Sequence, residues 1–206
     1  METKEAIAKL REEKKRKFDQ SVDLVVNLKM FDVRREALNT FIFVPNGMEK
    51  SFAAFFAKRN DKVATVTEED YVKYKDLKAM KKLAKKYDMF LAAAPLMGKV
   101  ATKFGRVFGP MSKMPSPLAG IVAQESDEMV EAMLEKMKRA VRVKNKEMSI
   151  KVRVGKESMS DEELVENVDA AIVELEKKLP KGVDNVKNIL VKFTMTKPIV
   201  LREAGK

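Results

Sequence analysis

Four segments of the chain carry the hydrophobic pattern of half-buried strands, two near the start and two after residue 146. The segments are 22–30, 40–44, 148–154 and 188–195. Apolar side chains at alternating positions are typical of a strand with one buried face. In the last segment, the alternation predicts a buried face of Ile189, Val191, Phe193 and Met195 and an outer face of Asn188, Lys192, Thr194 and Thr196.

Two predicted helices accompany these strands. Residues 3–18 carry a narrow apolar stripe, ending at Phe18, among many charges, which indicates an amphipathic helix. Ser160 and Glu163 match a capping box that opens a second helix, and Pro180 ends it. Because these elements come from both ends of the chain, we expect one α+β layer domain formed by 1–50 plus 144–206.

The middle of the chain has a different pattern. Its short apolar runs do not alternate, as in strands that are covered on both faces, and helical patterns separate them. We therefore expect an α/β domain with a parallel sheet over 51–143, inserted into the first domain, with hinges at 47–51 and 141–147. The apolar runs are 52–57, 63–66, 90–94 and 119–123, and the helical patterns are 77–87 and 130–137.

The composition narrows the chemistry available to the chain. Its 206 residues include neither cysteine nor histidine, which excludes thiolate catalysis and removes the commonest general base and transition-metal ligand. No pair of nucleophile and base is evident, so we expect no enzyme activity, no metal and no cofactor. Lys and Arg number 42 against 31 Asp and Glu, and the resulting formal charge of +11 makes a polyanion the expected partner.

The apolar runs are also too short for a membrane span. None approaches the roughly 20 apolar residues that a spanning helix needs. The first residues, METKEAIAKLREEKKRK, are charged and do not have the pattern of a secretory signal. We therefore expect a soluble protein of a cytoplasmic, reducing compartment.

Glycine and proline are concentrated in residues 105–117, after a predicted helix over 96–104. The segment GRVFGPMSKMPSP fits neither of the phosphate-binding patterns G-x-G-x-x-G and G-x-x-x-x-G-K-[ST]. Its prolines also lack backbone donors. We interpret this segment as a rigid connecting loop.

The segment FTMTKP (193–198) combines two hydroxyls, a methionine and a lysine at a strand end. Threonine can hydrogen-bond to a ribose 2′-OH, lysine neutralises phosphate, and Met or Phe can cover an unstacked base. An exposed strand end of this kind is more often an ordinary sheet edge. The basic runs 11–17, 78–86 and 136–146 are likewise, taken one at a time, more often solvated helix faces.

Three stretches together resemble the ribosomal protein L-one family of the mobile side stalk of the large ribosomal subunit. Their order and spacing are similar to the family over nearly the whole chain, and most similar to archaeal members. The resemblance implies two domains, the first built from both termini and the second an inserted Rossmann-like domain. The stretches are KFDQSV (17–22), GRVFGPMSKMPSP (105–117), and VGK (154–156) followed by FTMTKP.

The resemblance also implies a function. Family members bind a folded region of large-subunit rRNA, and their stalk moves as deacylated tRNA leaves the exit site. Bacterial and archaeal members repress their own messenger through an rRNA-like element. The implied partners are therefore the stalk rRNA, exit-site tRNA and the operator in the protein's own mRNA, with no membrane, and a monomer is expected off the ribosome.

The family motifs place the RNA site at the end of the predicted sheet. Lys17 and Phe18 match a Lys-Phe pair, Ser21 follows three residues later, and Thr194 and Met195 match a Thr-Met pair. The remaining residues expected to contact RNA are Lys146, Asn188, Lys192, Thr196 and Lys197, with a secondary contact at Arg106 and Lys113.

Two positions depart from the family pattern. Thr196 stands where the family usually has glycine, and its Cβ makes a φ above zero costly, so we expect an altered loop shape there. Met111-Ser112-Lys113 replaces an Arg-Gly-Leu type of sequence, which removes one basic contact.

Three other functions are compatible with the residues. An enzyme would bind a nucleotide or sugar phosphate beside the loop at 105–110. A membrane-surface protein would use the basic N-terminal helix, although its stripe lacks the aromatic or leucine-rich face of such helices. A generic binder would use the charge of +11 to hold any nucleic acid.

Overall fold

The computed structural model describes residues 2–13, 16–36, 38–145 and 147–203. The chain divides into two compact units, Met1–Met48 with Arg139–Lys206 and Glu49–Lys138. We call them the terminal unit and the inserted unit.

The elements of the terminal unit are α1 (Thr3–Glu12), β1 (Ser21–Leu28), β2 (Asn39–Phe43), β7 (Ala140–Lys144), β8 (Ser149–Lys156), α5 (Asp161–Lys178), β9 (Val186–Phe193) and β10 (Ile199–Glu203), with a 3-10 helix at Gly182–Asn185. Four of these strands form an antiparallel sheet with the order β10-β9-β1-β8. A separate two-stranded ribbon pairs β2 with β7.

One face of the sheet is buried and the other is open. Along β1, buried positions alternate with half-buried ones, as the sequence pattern predicts. The apolar stripes of α1 and α5 belong to the same hydrophobic core as this buried face. Each fully buried aliphatic side chain contributes about 1.5–3 kcal/mol relative to exposure, so this core holds the two ends of the chain together.

The helix α5 begins at the predicted capping box. The side chain of Ser160 accepts a hydrogen bond from the N–H of Glu163, and the Glu163 carboxylate accepts one from the N–H of Ser160. Two backbone donors that the first turn would leave unpaired are satisfied in this way. The predicted start of this helix is confirmed.

The elements of the inserted unit are β3 (Phe52–Phe55), β4 (Ala64–Val66), α2 (Leu77–Lys86), β5 (Met89–Ala93), α3 (Met97–Phe108), β6 (Ile121–Val122) and α4 (Asp127–Arg139), with 3-10 helices at Glu69–Tyr74 and Ala94–Leu96. Its strands form a parallel sheet with the order β4-β3-β5-β6. The core of this unit is aromatic, and the rings of Phe90 and Phe108 lie 4.6 Å apart between centroids.

The predicted fold class is confirmed: an α+β layer accompanies an inserted α/β region with a parallel sheet. The structure differs from the prediction near residue 143. Residues 140–144 form β7, which pairs with β2, so the terminal unit resumes at Arg139. The helix α4 continues directly into this strand, and no turn signal marks the change.

Several predicted element limits are wrong. The first helix ends at Glu12 instead of residue 18, because Leu10 is its last buried side chain. The strand β1 ends at Leu28, and Met30, predicted to be buried, is 62% exposed with a positive φ. The helix α3 continues to Phe108, since Val107 and Phe108 are both buried, so the first part of the predicted glycine-proline loop is helical.

Candidate nucleic-acid interface

Ser21 and Thr194 are joined where β1 and β9 end. The N–H of Thr194 donates to the carbonyl of Ser21 at 3.1 Å, and the N–H of Ser21 donates to Oγ1 of Thr194, also at 3.1 Å. The two hydroxyl oxygens lie 3.0 Å apart. The Ser21 hydroxyl also donates to Oδ1 of Asp23 at 3.2 Å. This network fixes the Thr194 hydroxyl at an exposed position.

The chain turns immediately after β9. The N–H of Thr196 donates to the carbonyl of Phe193 at 3.3 Å, and Oγ1 of Thr196 accepts from the N–H of Phe193 at 2.9 Å. Among the described residues other than glycine, positive φ occurs only at Met30 and Ser112. The strain expected at Thr196 is therefore absent, and its hydroxyl stabilises the turn.

Met195 does not share the buried face of Phe193, and this part of the prediction is wrong. The strand ends at Phe193, and Met195 lies in the turn with 57% of its surface exposed. Its N–H donates to Oε1 of Gln20 at 3.1 Å. The thioether is therefore presented to solvent, as a side chain that contacts a base would be.

Gln20 is the residue that the sequence analysis missed. It is 2% exposed, and Nε2 donates to Oε2 of Glu157 at 3.1 Å. The backbone carbonyl of Gln20 accepts a hydrogen bond from the N–H of Glu157 at 2.7 Å. Together with the bond from Met195, these contacts connect the start of β1, the turn after β9 and the end of β8. A lone glutamine before a strand carries no signal that distinguishes it from a surface residue.

Lys17 and Phe18 precede this buried glutamine. Phe18 has 51% of its surface exposed and lies outside α1, so it does not complete the apolar stripe of that helix. Lys17 is also exposed, as is Lys197 after the turn. An exposed phenylalanine next to a lysine has the chemistry of a surface that holds an unstacked base near phosphates.

Asn188 and Lys192 lie on the open face of the sheet. The amide of Asn27 donates to Oδ1 of Asn188 at 2.7 Å. Lys192 pairs in register with Asp23, which in turn pairs with Arg153 on β8. Arg153 is a basic residue of this face that the sequence analysis did not select. Lys146 lies outside the residues that the structure describes.

The two residues of the predicted secondary contact, Arg106 and Lys113, lie in the inserted unit. They differ in how accessible their charged groups are to RNA. Arg106 is exposed in the last turn of α3. The ammonium of Lys113 donates to the carbonyl of Tyr87 at 2.5 Å, and burial lowers the pKa of this lysine. Because its ammonium is used inside the unit, Lys113 is the weaker candidate.

Within residues 2–13, 16–36, 38–145 and 147–203, no group of three or more acidic side chains is placed to hold a metal ion. No helix in the same ranges is long and apolar enough to cross a membrane.

Comparison with known proteins identifies the family. The profile of the "Ribosomal protein L1p/L10e family" matches residues 10–197. The large ribosomal subunit protein uL1 of Nanoarchaeum equitans is 36% identical over 201 residues, which covers 92% of this chain and 94% of that protein. The protein of the same name from Methanocella arvoryzae is 35% identical over 210 residues, covering 94% and 95%. The chain therefore belongs to the ribosomal protein L1p/L10e family, as its motifs predict, and is a ribosomal structural protein, not an enzyme.

Proposed function

We propose that this chain binds large-subunit rRNA at the side stalk through the surface around Ser21 and Thr194. The observation that carries the proposal is the contact between the hydroxyls of these two residues. Met195 directly follows Thr194, Phe18 lies three residues before Ser21, and both apolar side chains are exposed. The relatives are named as large ribosomal subunit proteins, which supports the same assignment.

The chemistry of this surface suits folded RNA. The Thr194 hydroxyl oxygen is fixed by a hydrogen bond from the Ser21 backbone. It can therefore hydrogen-bond to a ribose 2′-OH with little further loss of side-chain entropy. Phe18 and Met195 offer apolar cover to a base or sugar. The cationic residues Lys17, Lys192 and Lys197 supply attraction to phosphates that does not depend on base sequence.

The finer parts of the proposal come from the family. We infer that the chain assists the release of exit-site tRNA as part of the stalk, and that it represses translation of its own mRNA through an rRNA-like operator. Off the ribosome it acts as a monomer, and its place is the ribosome in the cytoplasm. The operator function uses the same surface as rRNA binding, so the two RNAs compete.

The test compares two RNAs of equal length, a stalk-region rRNA fragment and a scrambled version, over a salt titration. Affinity for the scrambled RNA should fall by about 0.7 to 0.9 log units per neutralised phosphate for each log unit of salt. The stalk fragment should stay bound at salt concentrations that release the scrambled RNA. An operator RNA should compete with the stalk fragment for the same site.

The generic nucleic-acid binder predicts a different result. If attraction by the charge of +11 were the whole interaction, both RNAs would dissociate together as salt rises. That outcome would overturn the proposed specific site.

A further inference from the structure

A groove follows the outer edge of the parallel sheet in the inserted unit. Its cavity of about 280 Å³ lies between β4 and α2. The floor is apolar and includes Val66 and Leu83, and the walls carry two tyrosines, Tyr74 and Tyr87, and two lysines. Small-ligand sites have this combination of an apolar floor and a few convergent polar groups.

Buried phenylalanines hold the two tyrosine rings in place. The ring of Tyr74 lies 6.1 Å from that of Phe104, and the ring of Tyr87 lies 6.0 Å from that of Phe90, both in edge contacts. The rings are therefore positioned at the cavity before any ligand arrives. Aromatic side chains placed in this way are the usual partners of nucleobases.

The two lysines, Lys82 and Lys86, are four residues apart on α2 and line the same cavity. Within the part of the chain that the structure describes, neither forms an ion pair with a carboxylate. The ammonium of Lys86 lies 5.2 Å from the centroid of the Tyr87 ring. Two uncompensated ammonium groups beside an aromatic wall favour an aromatic ligand that carries phosphate.

The groove continues past Tyr74. A second cavity of about 530 Å³ shares β4 and Tyr74 with the first and is bordered by Arg59 and Lys73. Both cations pair with Asp70, Lys73 at 2.6 Å and Arg59 at 3.9 Å. The longer contact leaves 74% of the Arg59 side chain exposed to solvent. A chain of nucleotides can therefore extend from the first cavity toward Arg59.

We propose that this groove binds a nucleotide, with its base against Tyr74 and Tyr87 and its phosphate on Lys82 and Lys86. The ligand is a nucleoside monophosphate, either free or as an unpaired residue of an RNA strand. The inference goes beyond the proposed function because it concerns only the inserted unit and involves none of the residues of the rRNA surface.

The edge strand itself favours a nucleotide over an extended peptide. The strand β4 has only three residues. The hydroxyl of its middle residue, Thr65, donates to the backbone carbonyl of Val63, just before the strand, at 3.0 Å. A peptide that added a strand here would gain few main-chain hydrogen bonds.

The test follows the tyrosine ring signals of the full chain by NMR during titration with UMP and AMP. The chain has three tyrosines and no tryptophan, so each ring signal can be assigned. The signals of Tyr74 and Tyr87 should shift saturably. Inorganic phosphate and ribose 5-phosphate should leave the Tyr74 signal nearly unchanged, whereas Tyr87 can respond to phosphate because the ammonium of Lys86 lies over its ring. An equal shift of Tyr74 with inorganic phosphate alone, or displacement of UMP by hexaglutamate, would overturn the nucleotide site.

A matched pair of double variants tests the lysines. Lys82→Ala with Lys86→Ala should weaken UMP binding by about tenfold or more, because charge-assisted contacts to phosphate are lost. Lys81→Ala with Lys85→Ala removes the same charge from the same helix outside the cavity, and it should change binding less than about twofold. Equal losses in the two variants would contradict the proposal.

A single-stranded hexauridylate distinguishes the two sources of the ligand. If RNA is the ligand, the oligonucleotide binds at least about tenfold more tightly than UMP. Arg59→Ala then lowers the affinity for the oligonucleotide and leaves the affinity for UMP unchanged. Equal affinity, unaffected by Arg59→Ala, assigns the groove to the free nucleotide. Binding of the stalk rRNA fragment to the lysine variants, measured in parallel, separates failure of this site from failure of the rRNA surface.

Discussion

The N–H of Met195 donates to the side-chain oxygen of Gln20 across a sequence separation of 175 residues. This bond positions the turn that carries Thr194 and Met195 beside the segment that carries Lys17 and Phe18. The RNA surface proposed here thus depends on a buried amide that would not itself contact RNA.

Gln20→Leu should therefore destabilise the terminal unit. The substitution leaves the Met195 N–H and one oxygen of Glu157 without their partner, which costs about 1–3 kcal/mol in free energy of unfolding. Urea denaturation measures this change. Gln124→Leu, at an exposed position, is the control and should change stability by less than about 0.5 kcal/mol. Similar values for the two variants would show that the Gln20 contacts do not support the fold.

Thr194→Ala should weaken binding to the stalk rRNA fragment by about 1–3 kcal/mol at fixed salt, because it removes a fixed hydroxyl from the contact. Thr194→Ser keeps the hydroxyl and should retain most of the affinity. Thr102→Ala, on α3, removes an exposed hydroxyl elsewhere and serves as the control. An unchanged dissociation constant for Thr194→Ala would remove this residue from the site.

Tyr71→Phe should stabilise the protein. Within the described residues the Tyr71 hydroxyl is buried and has no hydrogen-bond partner, so its removal should raise the free energy of unfolding by about 1 kcal/mol. The ring itself packs on Phe104 at 5.2 Å between centroids, and phenylalanine keeps that contact. Thermal unfolding of the two proteins tests the prediction, and a lower midpoint for Tyr71→Phe would contradict it.

The same tyrosine predicts a pH dependence in alkali. Burial, with a smaller contribution from the Glu68 carboxylate, raises the pKa of Tyr71 to about 12, whereas an unfolded tyrosine has a pKa of about 10. Below about pH 10 both states keep the proton, and this group adds no pH dependence. As pH rises from about 10 to about 12, the unfolded state loses the proton first, so the free energy of unfolding falls. Near-ultraviolet absorbance should show one tyrosine that ionises late, and Tyr71→Phe should abolish that step.

Ser112→Gly should stabilise the inserted unit. Ser112 has a φ of +57°, a region that costs an L-residue about 1–2 kcal/mol and glycine almost nothing. The family resemblance places a glycine at this position. The gain, reduced by the greater freedom of glycine in the unfolded chain, should be about 0.5–1 kcal/mol by urea denaturation. A loss of stability would mean that the serine side chain contributes more than its backbone costs.

The parts of the fold that the sequence predicts are those with a local signal. The period of two along 22–28, the capping box at Ser160 and the covered strands of the middle region all depend on residues close in sequence. The strand β7 alternates Val141 and Val143 with Arg142 and Lys144, but it follows α4 without a break, and its limits are defined by its pairing with β2. The strand β10 has no comparable alternation in its residues, Ile199–Glu203. Neither strand is predicted from the sequence.

The candidate site shows the same division. The family motifs indicate which residues meet, but the alternation that runs through 188–195 wrongly continues the strand over Met195. The chain turns there because the Thr196 side chain bonds to the backbone of Phe193, a choice that hydrophobic periodicity does not encode. Gln20 cannot be predicted for a related reason, since its partners Met195 and Glu157 lie just beyond the ends of two other strands of the sheet.

The strand order has a consequence for synthesis of the protein. The central strand β1 is made early, but its two neighbours β8 and β9 emerge only after the whole inserted unit. At typical translation rates, β1 therefore remains unpaired with β8 and β9 for on the order of ten seconds. The inserted unit, whose sheet contacts are all internal to 49–138, can fold on the ribosome during that interval. The emerging chain thus carries an unpaired strand with an apolar face, a feature that favours aggregation, until β9 is complete.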